Sequence, residues 1–331
     1  MFAKLKEEKG AVLLLTGLSL FVILSFFALV VDLGYIFVTK AELQNTADSS
    51  ALMGVSEIRN GQTFARQKVE SFANSYKVAD APIVVADSDV VFGNYNLTTN
   101  IFQPNASKTN AVQVQARRTQ NSPSGPLALF FARLFSKDTS NVRAISTAVL
   151  DPRVVGVHGK NRLLPYSVIN FVVDQNGDGQ YDIGSTINIH PRKDAPGNFG
   201  YLDLDGGSNS TTVLRQQIEN GYDQDFVIPA GGSKEVLGST GIEGDSLLNS
   251  FQKIIGEEVF LPVHNWVVNP GSNAIFNVIS ILAVKIEAVK LNGNMDKRYI
   301  RVKIINFASS VLVVDPAAPE NNSVAKPRLV V

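Results

Sequence analysis

The 331-residue chain has no cysteine, one tryptophan, three methionines and three histidines, and its 30 Lys and Arg are balanced by 30 Asp and Glu. Without cysteine there is no disulfide, thiolate nucleophile, CxxC redox pair or Cys-ligated zinc. Zero formal charge argues against nucleic acid as the main partner, because phosphate contacts draw on a surplus of Lys and Arg. Charged residues make up 18% of the chain, below the usual quarter, so part of it is expected to avoid water.

That part is residues 10–31, GAVLLLTGLSLFVILSFFALVV, a run of 22 residues without one charge between Lys9 and Asp32. As a helix it would span roughly 33 Å, enough for a hydrocarbon core of about 30 Å. A secretory signal has a shorter apolar region ending in a small-residue cleavage site, and no such site follows Ala28-Leu29-Val30. The run is apolar on every side, unlike a core helix with one apolar stripe. An uncleaved membrane anchor is therefore expected. Lys4, Lys6 and Lys9 precede it and no basic residue follows until Lys40. The positive-inside rule then places residues 1–9 in the cytoplasm as a stub and residues 32–331 outside.

The helix is expected to continue past the lipid. Residues 35–57 contain no proline, and Ala41, Gln44, Ala47 and Ala51 recur at helical spacing, with Gly54 beyond. Small side chains permit close approach of another element. Either this face packs on its own domain, or residues 41–54 mediate self-association. Residues 32–151 read as this extended helix plus a small α+β, pilin-like domain. Phe64, Ala65, Lys68, Val69, Phe72, Ala73 and Tyr76 form a helical stripe. Residues 83–85, 90–92, 111–116 and 142–150 read as strands. Pro126 predicts a helix over residues 127–135 with Phe130, Phe131 and Leu134 in the core. Residues 152–318 read as a mostly β, sandwich-like domain, with strands at 168–173, 185–190, 259–268, 275–289 and 299–307 and helices at 211–220 and 244–254. Residues 319–331 read as a loose tail.

The clearest candidate site is Asp174-Gln175-Asn176-Gly177-Asp178-Gly179-Gln180-Tyr181-Asp182. Oxygen-bearing side chains fall at loop positions one, three, five and nine, with glycine at six, the recipe of a calcium loop. Asp174, Asn176, Asp178, Gln180 and Asp182 are thus candidate ligands of a structural calcium ion. Position twelve is Ser185 instead of the bidentate Glu of an EF-hand, and the flanks read as strands. The alternative is an acidic Asn/Asp/Gly turn that holds no metal. Asp203 and Asp205, two apart, could hold a cation or a sugar, or belong to a turn–strand–turn in which the acids are solvated or cap the helix after Ser208 and Ser210. The serines of Asp205-Gly206-Gly207-Ser208-Asn209-Ser210 stand one place too late for the Asp-x-Ser-x-Ser metal motif. His158, His190 and His264 are scattered, without an H-E-x-x-H or G-x-S-x-G pattern. No catalytic set stands out, and no enzyme activity is expected.

Two segments near the start have a familiar form. Gly10-Ala11-Val12, the apolar run, Val31-Asp32-Leu33-Gly34-Tyr35 and Ala41-Glu42-Leu43-Gln44-Asn45-Thr46-Ala47-Asp48-Ser49-Ser50-Ala51-Leu52 resemble the TadG-like proteins of tight-adherence (Flp-type) pilus assembly. Asn110-Ala111-Val112-Gln113-Val114 and residues 126–135 are similar to the middle of such proteins. Pro196-Gly197-Asn198-Phe199-Gly200 resembles a subset lacking a von Willebrand A insert. The resemblance implies a bacterial inner-membrane protein with a large outward domain, a minor pilin or anchor working with pilus and secretion machinery. It implies no catalytic residues. A processed pilin would carry Glu where Leu15 stands. The alternatives are a calcium-dependent surface adhesin or ligand-binding module and, more remotely, a membrane-tethered hydrolase.

Overall fold

The computed structural model describes residues 2–159, 161–189, 199–207, 210–240, 245–294 and 297–330. His190, Pro196-Gly197-Asn198, Ser208, Asn209 and Gly244 of the sequence reading lie outside the described residues. The chain forms two compact units, Met1–Val149 with Leu329–Val331, and Leu150–Arg328.

The first unit is organised by one continuous helix, α1 (Phe2–Glu57). Its early part is long and apolar enough to cross a membrane, and none of that apolar window is buried inside the molecule. Beyond Asp32 the same helix changes character. Leu43, Ala47, Ser50, Ala51, Gly54 and Val55 are buried at three- and four-residue spacing while Ala41 and Asn45 stay exposed, the pattern of a helix with one face on a core. Glycine at 54 is a steric requirement: a Cβ there would lie 2.5 Å from Val69 Cγ2 and 3.3 Å from Val112 Cγ1. Ala47, Ala51 and Gly54 are therefore covered by the chain's own domain. Of the two readings of this face, the structure shows packing on the chain's own domain, with Ala47, Ala51 and Gly54 buried there.

Gly61, at φ +107, ends the connection and starts α2 (Gln62–Ala73), whose Ala65, Val69 and Ala73 are buried. The helices pack on an antiparallel sheet in which β1 (Val90–Asn96) pairs with β2 (Ile101–Pro104) and β3 (Ala111–Arg118), and β3 pairs with β4 (Val142–Asp151). Val112, Val114 and Ala116 alternate inward from β3, as a half-buried strand requires. Residues 83–85 are irregular instead of a strand. Residues 127–135 are also not a helix. Leu127–Ala128 pairs as a short strand with Thr139–Ser140, and Ala132–Phe135 forms a single 3₁₀ turn. Phe130, Phe131, Leu134 and Phe135 are exposed, which corrects their expected place in the core.

The second unit is built on β5 (Tyr166–Ile169), β6 (Thr186–Ile189), β7 (Phe199–Leu202), β8 (Lys234–Thr240), β9 (Glu258–Val268), β10 (Ala274–Lys290) and β11 (Tyr299–Ile304). The order is β6-β11-β10-β8-β7-β5-β9, and β9 pairs again with β10, so the ladder returns to its longest strand. Both faces of that sheet are covered. Leu282, Val284 and Ile286 point to a core completed by helices Thr211–Asn220 and Leu248–Lys253, through Leu214, Ile218 and Phe251. Phe276, Val278, Ile281 and Ala283 point to a second core shared with a three-stranded sheet of Val154–Val157, Phe226–Val227 and Leu312–Val314. Covering on both faces explains why β10 reads as a nearly unbroken apolar run.

The end of the chain is structured, which corrects the loose tail. Val324 and Ala325 are fully buried and pair in parallel with Phe307 and Ala308. Asn321 Nδ2 donates to the Ile281 carbonyl at 2.8 Å and its Oδ1 accepts from Ser323 and Val324; Ser323 Oγ donates to the Ile305 carbonyl at 2.8 Å. Buried Asp151 accepts from Arg153 at 2.7 Å and from Arg328 at 3.1 Å.

A Gly54→Val substitution forces branched carbons into the space of Val69 and Val112. It is expected to cost about 1–3 kcal/mol, as overpacking does, seen as a lower denaturation midpoint of the full chain in detergent. A wild-type midpoint would show that α1 does not press on β3 at this point.

Candidate functional site

Two places concentrate chemistry: the Asp174 loop in the second unit and the point where α1 leaves its apolar run in the first. The loop follows a helical turn, Asn170–Val173, and is folded by its own side chains. Buried Asp174 accepts from the amides of Gly177 and Asp178 on Oδ1, at 2.9 and 3.2 Å, and of Gly179 on Oδ2 at 3.0 Å. Gly177 and Gly179 take φ of +71° and +80°, which glycine adopts without a Cβ clash. Asp182 Oδ2 accepts from the Gln175 amide at 2.8 Å, and Asp178 Oδ1 from the Gln180 amide at 2.8 Å. Asn176 bonds Asp178 through its side-chain Nδ2 at 3.2 Å, and Gln180 Nε2 donates to the Gly179 carbonyl at 3.2 Å. The loop closes on Tyr181, whose amide donates to Asn322 Oδ1 at 3.0 Å while Asn322 Nδ2 donates to the Tyr181 carbonyl at 2.8 Å.

The five predicted ligands are thus brought into one loop, with their carboxylates directed largely at amides. No group of three His, Cys, Asp or Glu side chains placed to hold a metal ion occurs among the described residues. Asp174, Tyr181, Ser280, Glu320 and Asn322 also line a cleft of about 290 Å³. Asp203 and Asp205 share the Gly207 amide at 3.1 Å each. Partial burial, and then Asp205 beside it, push the Asp203 carboxyl above the usual carboxylate range. The next helix is capped by Ser210, whose Oγ accepts from the Val213 amide at 3.4 Å. His158 faces Asp225 at 3.1 Å, both well exposed. His264 Nδ1 lies 2.7 Å from Ser167 Oγ, but both residues are fully buried between strands.

The second place was not legible as a site. Asp32 is the first charge after the apolar run, yet it is only 4% exposed. Its carboxylate accepts three consecutive amides: Phe130 on Oδ1 at 2.8 Å, and Phe131 and Ala132 on Oδ2 at 3.0 and 2.6 Å. Further along α1, Lys40 Nζ donates to the Arg143 carbonyl, Glu42 accepts the Ala79 amide at 2.8 Å, and Gln44 donates to the Ile145 carbonyl at 3.4 Å. The helix thus holds the backbone of its own domain through polar side chains, at the turn around Ala79 and along β4. The signal in sequence is weak: a lone acid at the end of an apolar run gives no hint of a partner about a hundred residues away.

Two substitutions probe these sites. Asp174→Ala removes acceptors from three amides and is expected to cost about 2–4 kcal/mol. The loss of melting temperature should be equal in calcium and in chelator if the amides alone hold the loop. Asp32→Ala strands three amides in the first unit, with a similar expected loss of about 2–4 kcal/mol and faster hydrogen exchange at residues 130–132. Unchanged exchange there would refute the clasp.

Comparison with known proteins points in one direction. Residues 10–57 match the Flp pilus-assembly TadE/G-like family, and residues 44–148 match the Tad-like Flp pilus-assembly family. No curated protein matches, and no solved structure matches. The two matches cover the apolar run, the helix that grips the domain, and the sheet up to β4. Both matches are to families of Flp pilus assembly, and together they mark residues 10–148 as similar to its TadE/G-like and Tad-like proteins.

Proposed function

We propose that this Flp pilus-assembly protein is a single-pass structural component, a minor pilin or anchor, with residues 1–9 in the cytoplasm and residues 32–331 outside the inner membrane. The observation that carries this reading is α1 itself. One uninterrupted helix runs from an apolar, unburied stretch into the core of a folded domain. Lys4, Lys6 and Lys9 on one side of the run support the orientation. The role is mechanical and non-catalytic: the helix holds the domain close to the lipid, and contacts with pilus or secretion proteins are made by the outward surface. Support for a non-catalytic role comes from the family matches and from the full burial of the Ser167–His264 pair.

Calcium in the Asp174 loop is a separate proposal, and with it an adhesin or ligand-binding role for the second unit. Its support is the residue pattern, together with Ser185 Oγ at position twelve, which is buried without a hydrogen-bond partner among the described residues. A calcium-dependent rise in melting temperature that Asp178→Ala abolishes is the result this proposal requires.

The anchor reading is tested by fractionation. Full-length protein is expected to stay in the membrane pellet after an alkaline wash, and protease added outside the inner membrane should digest residues 32–331 while sparing the start. Release by alkali, or protection of the bulk of the chain, would reject it.

A further inference from the structure

Residues 130–135 pose a problem for a domain bathed in water. Phe130, Phe131, Leu134 and Phe135 are 48, 40, 77 and 68% exposed. Four large apolar side chains displayed within six residues mark a surface meant for something other than solvent. Their position identifies what that is. Phe131 and Phe135 share a groove with Ser25, Ala28, Leu29 and Leu33 of α1, so the segment lies beside residues within the uncharged run. Ser25 is seven residues before Asp32, about 10 Å further along the helix. Phe130 rests on Tyr35 with ring centroids 5.0 Å apart.

The backbone of this segment is prepared for a place without water. The amides of Phe130, Phe131 and Ala132 are taken by Asp32. Leu134 donates to the Phe131 carbonyl at 2.9 Å, Ser136 to Arg133 at 3.1 Å, Lys137 to Ala132 at 3.1 Å, and Leu129 to Asp138 at 2.9 Å. Backbone outside a helix is tolerated at membrane depth only where the protein covers it, and here the segment's amides are turned to Asp32 and to its own carbonyls so that the side chains alone face outward. Arg133 and Lys137 carry long stems that can reach the headgroup level.

We propose that residues 130–135 are a membrane foot: a second element, clasped to α1 by Asp32, that inserts Phe131, Leu134 and Phe135 among the acyl chains of the outer leaflet of the same bilayer. The foot fixes the rotation of the domain about α1, because only one side of the helix carries it. The proposal rests on the anchor reading above, and the experiment separates the two.

Full-length protein with Trp266→Phe receives one new tryptophan and is reconstituted in phosphatidylglycerol/phosphatidylethanolamine vesicles with brominated acyl chains. The new tryptophan is Phe135→Trp or Leu134→Trp in the foot, Leu24→Trp in the apolar run, or Leu237→Trp on the second unit. Strong bromine quenching and blue-shifted emission are expected at positions 24, 134 and 135, with none at 237. Quenching at 24 together with iodide-accessible, unquenched emission at 134 and 135 overturns the foot and leaves the anchor standing. Shielding of 134 and 135 from both bromine and iodide also overturns it, in favour of a covering protein. Absence of bromine quenching at 24 removes the anchor and the foot together.

Discussion

The placement of residues 130–132 against α1 depends on the Asp32 carboxylate. A helix leaving an apolar run meets a sharp change of surroundings, and a charge placed there must be solvated or paired. Here it is buried against three successive amides. Ionised acceptors make stronger bonds than neutral ones, so one side chain orders a segment about a hundred residues away in sequence. The clasp also has a direction. It draws residues 130–135 towards the apolar part of α1, while Lys40, Glu42 and Gln44 take hold of backbone further along the helix.

The parts of the fold that could be read in the sequence are those set by local pattern. The uncharged run, the helical spacing of Leu43, Ala47 and Ala51, the stripe of α2 and the alternation of Val112 and Val114 each follow from periods of 3.6 or 2. Residues 127–135 could not be read in this way. Pro126 and a cluster of Phe and Leu fit a helix start, but Asp32 takes the amides that would have begun it, and a tertiary bond outweighs a weak propensity. The end of the chain misleads for a related reason. Asn321, Asn322 and Ser323 look like solvated loop residues, yet their side chains satisfy buried carbonyls and the Tyr181 backbone.

The Asp174 loop shows how far residue pattern can go in naming a ligand. Asp and Asn at alternating positions with glycines between them suit a cation, because their oxygens can converge. The same residues suit a tight turn, because those oxygens accept amides one to five residues on. In this structure the second use is visible: Asp174 alone takes three amides, and the glycines adopt the positive φ that the turn demands. Sequence spacing does not separate the two uses, because both need short oxygen-bearing side chains beside flexible backbone.

The division of the chain and the reach of the family matches nearly coincide. The second match ends at residue 148, and the first unit ends at Val149 before the return of Leu329–Val331. The residues matched to Flp pilus-assembly families are therefore those of the helix from residue 10 on, of the sheet as far as residue 148 and of the segment clasped by Asp32. Residues 150–328 fold around cores of their own, one faced by helices and one by a small sheet, and neither match extends into them. The helix long and apolar enough to cross a membrane belongs to the first unit. In the second unit, beyond both matches, the cleft beside Asp174 and Asn322 brings carboxylates, amides and hydroxyls together with apolar side chains.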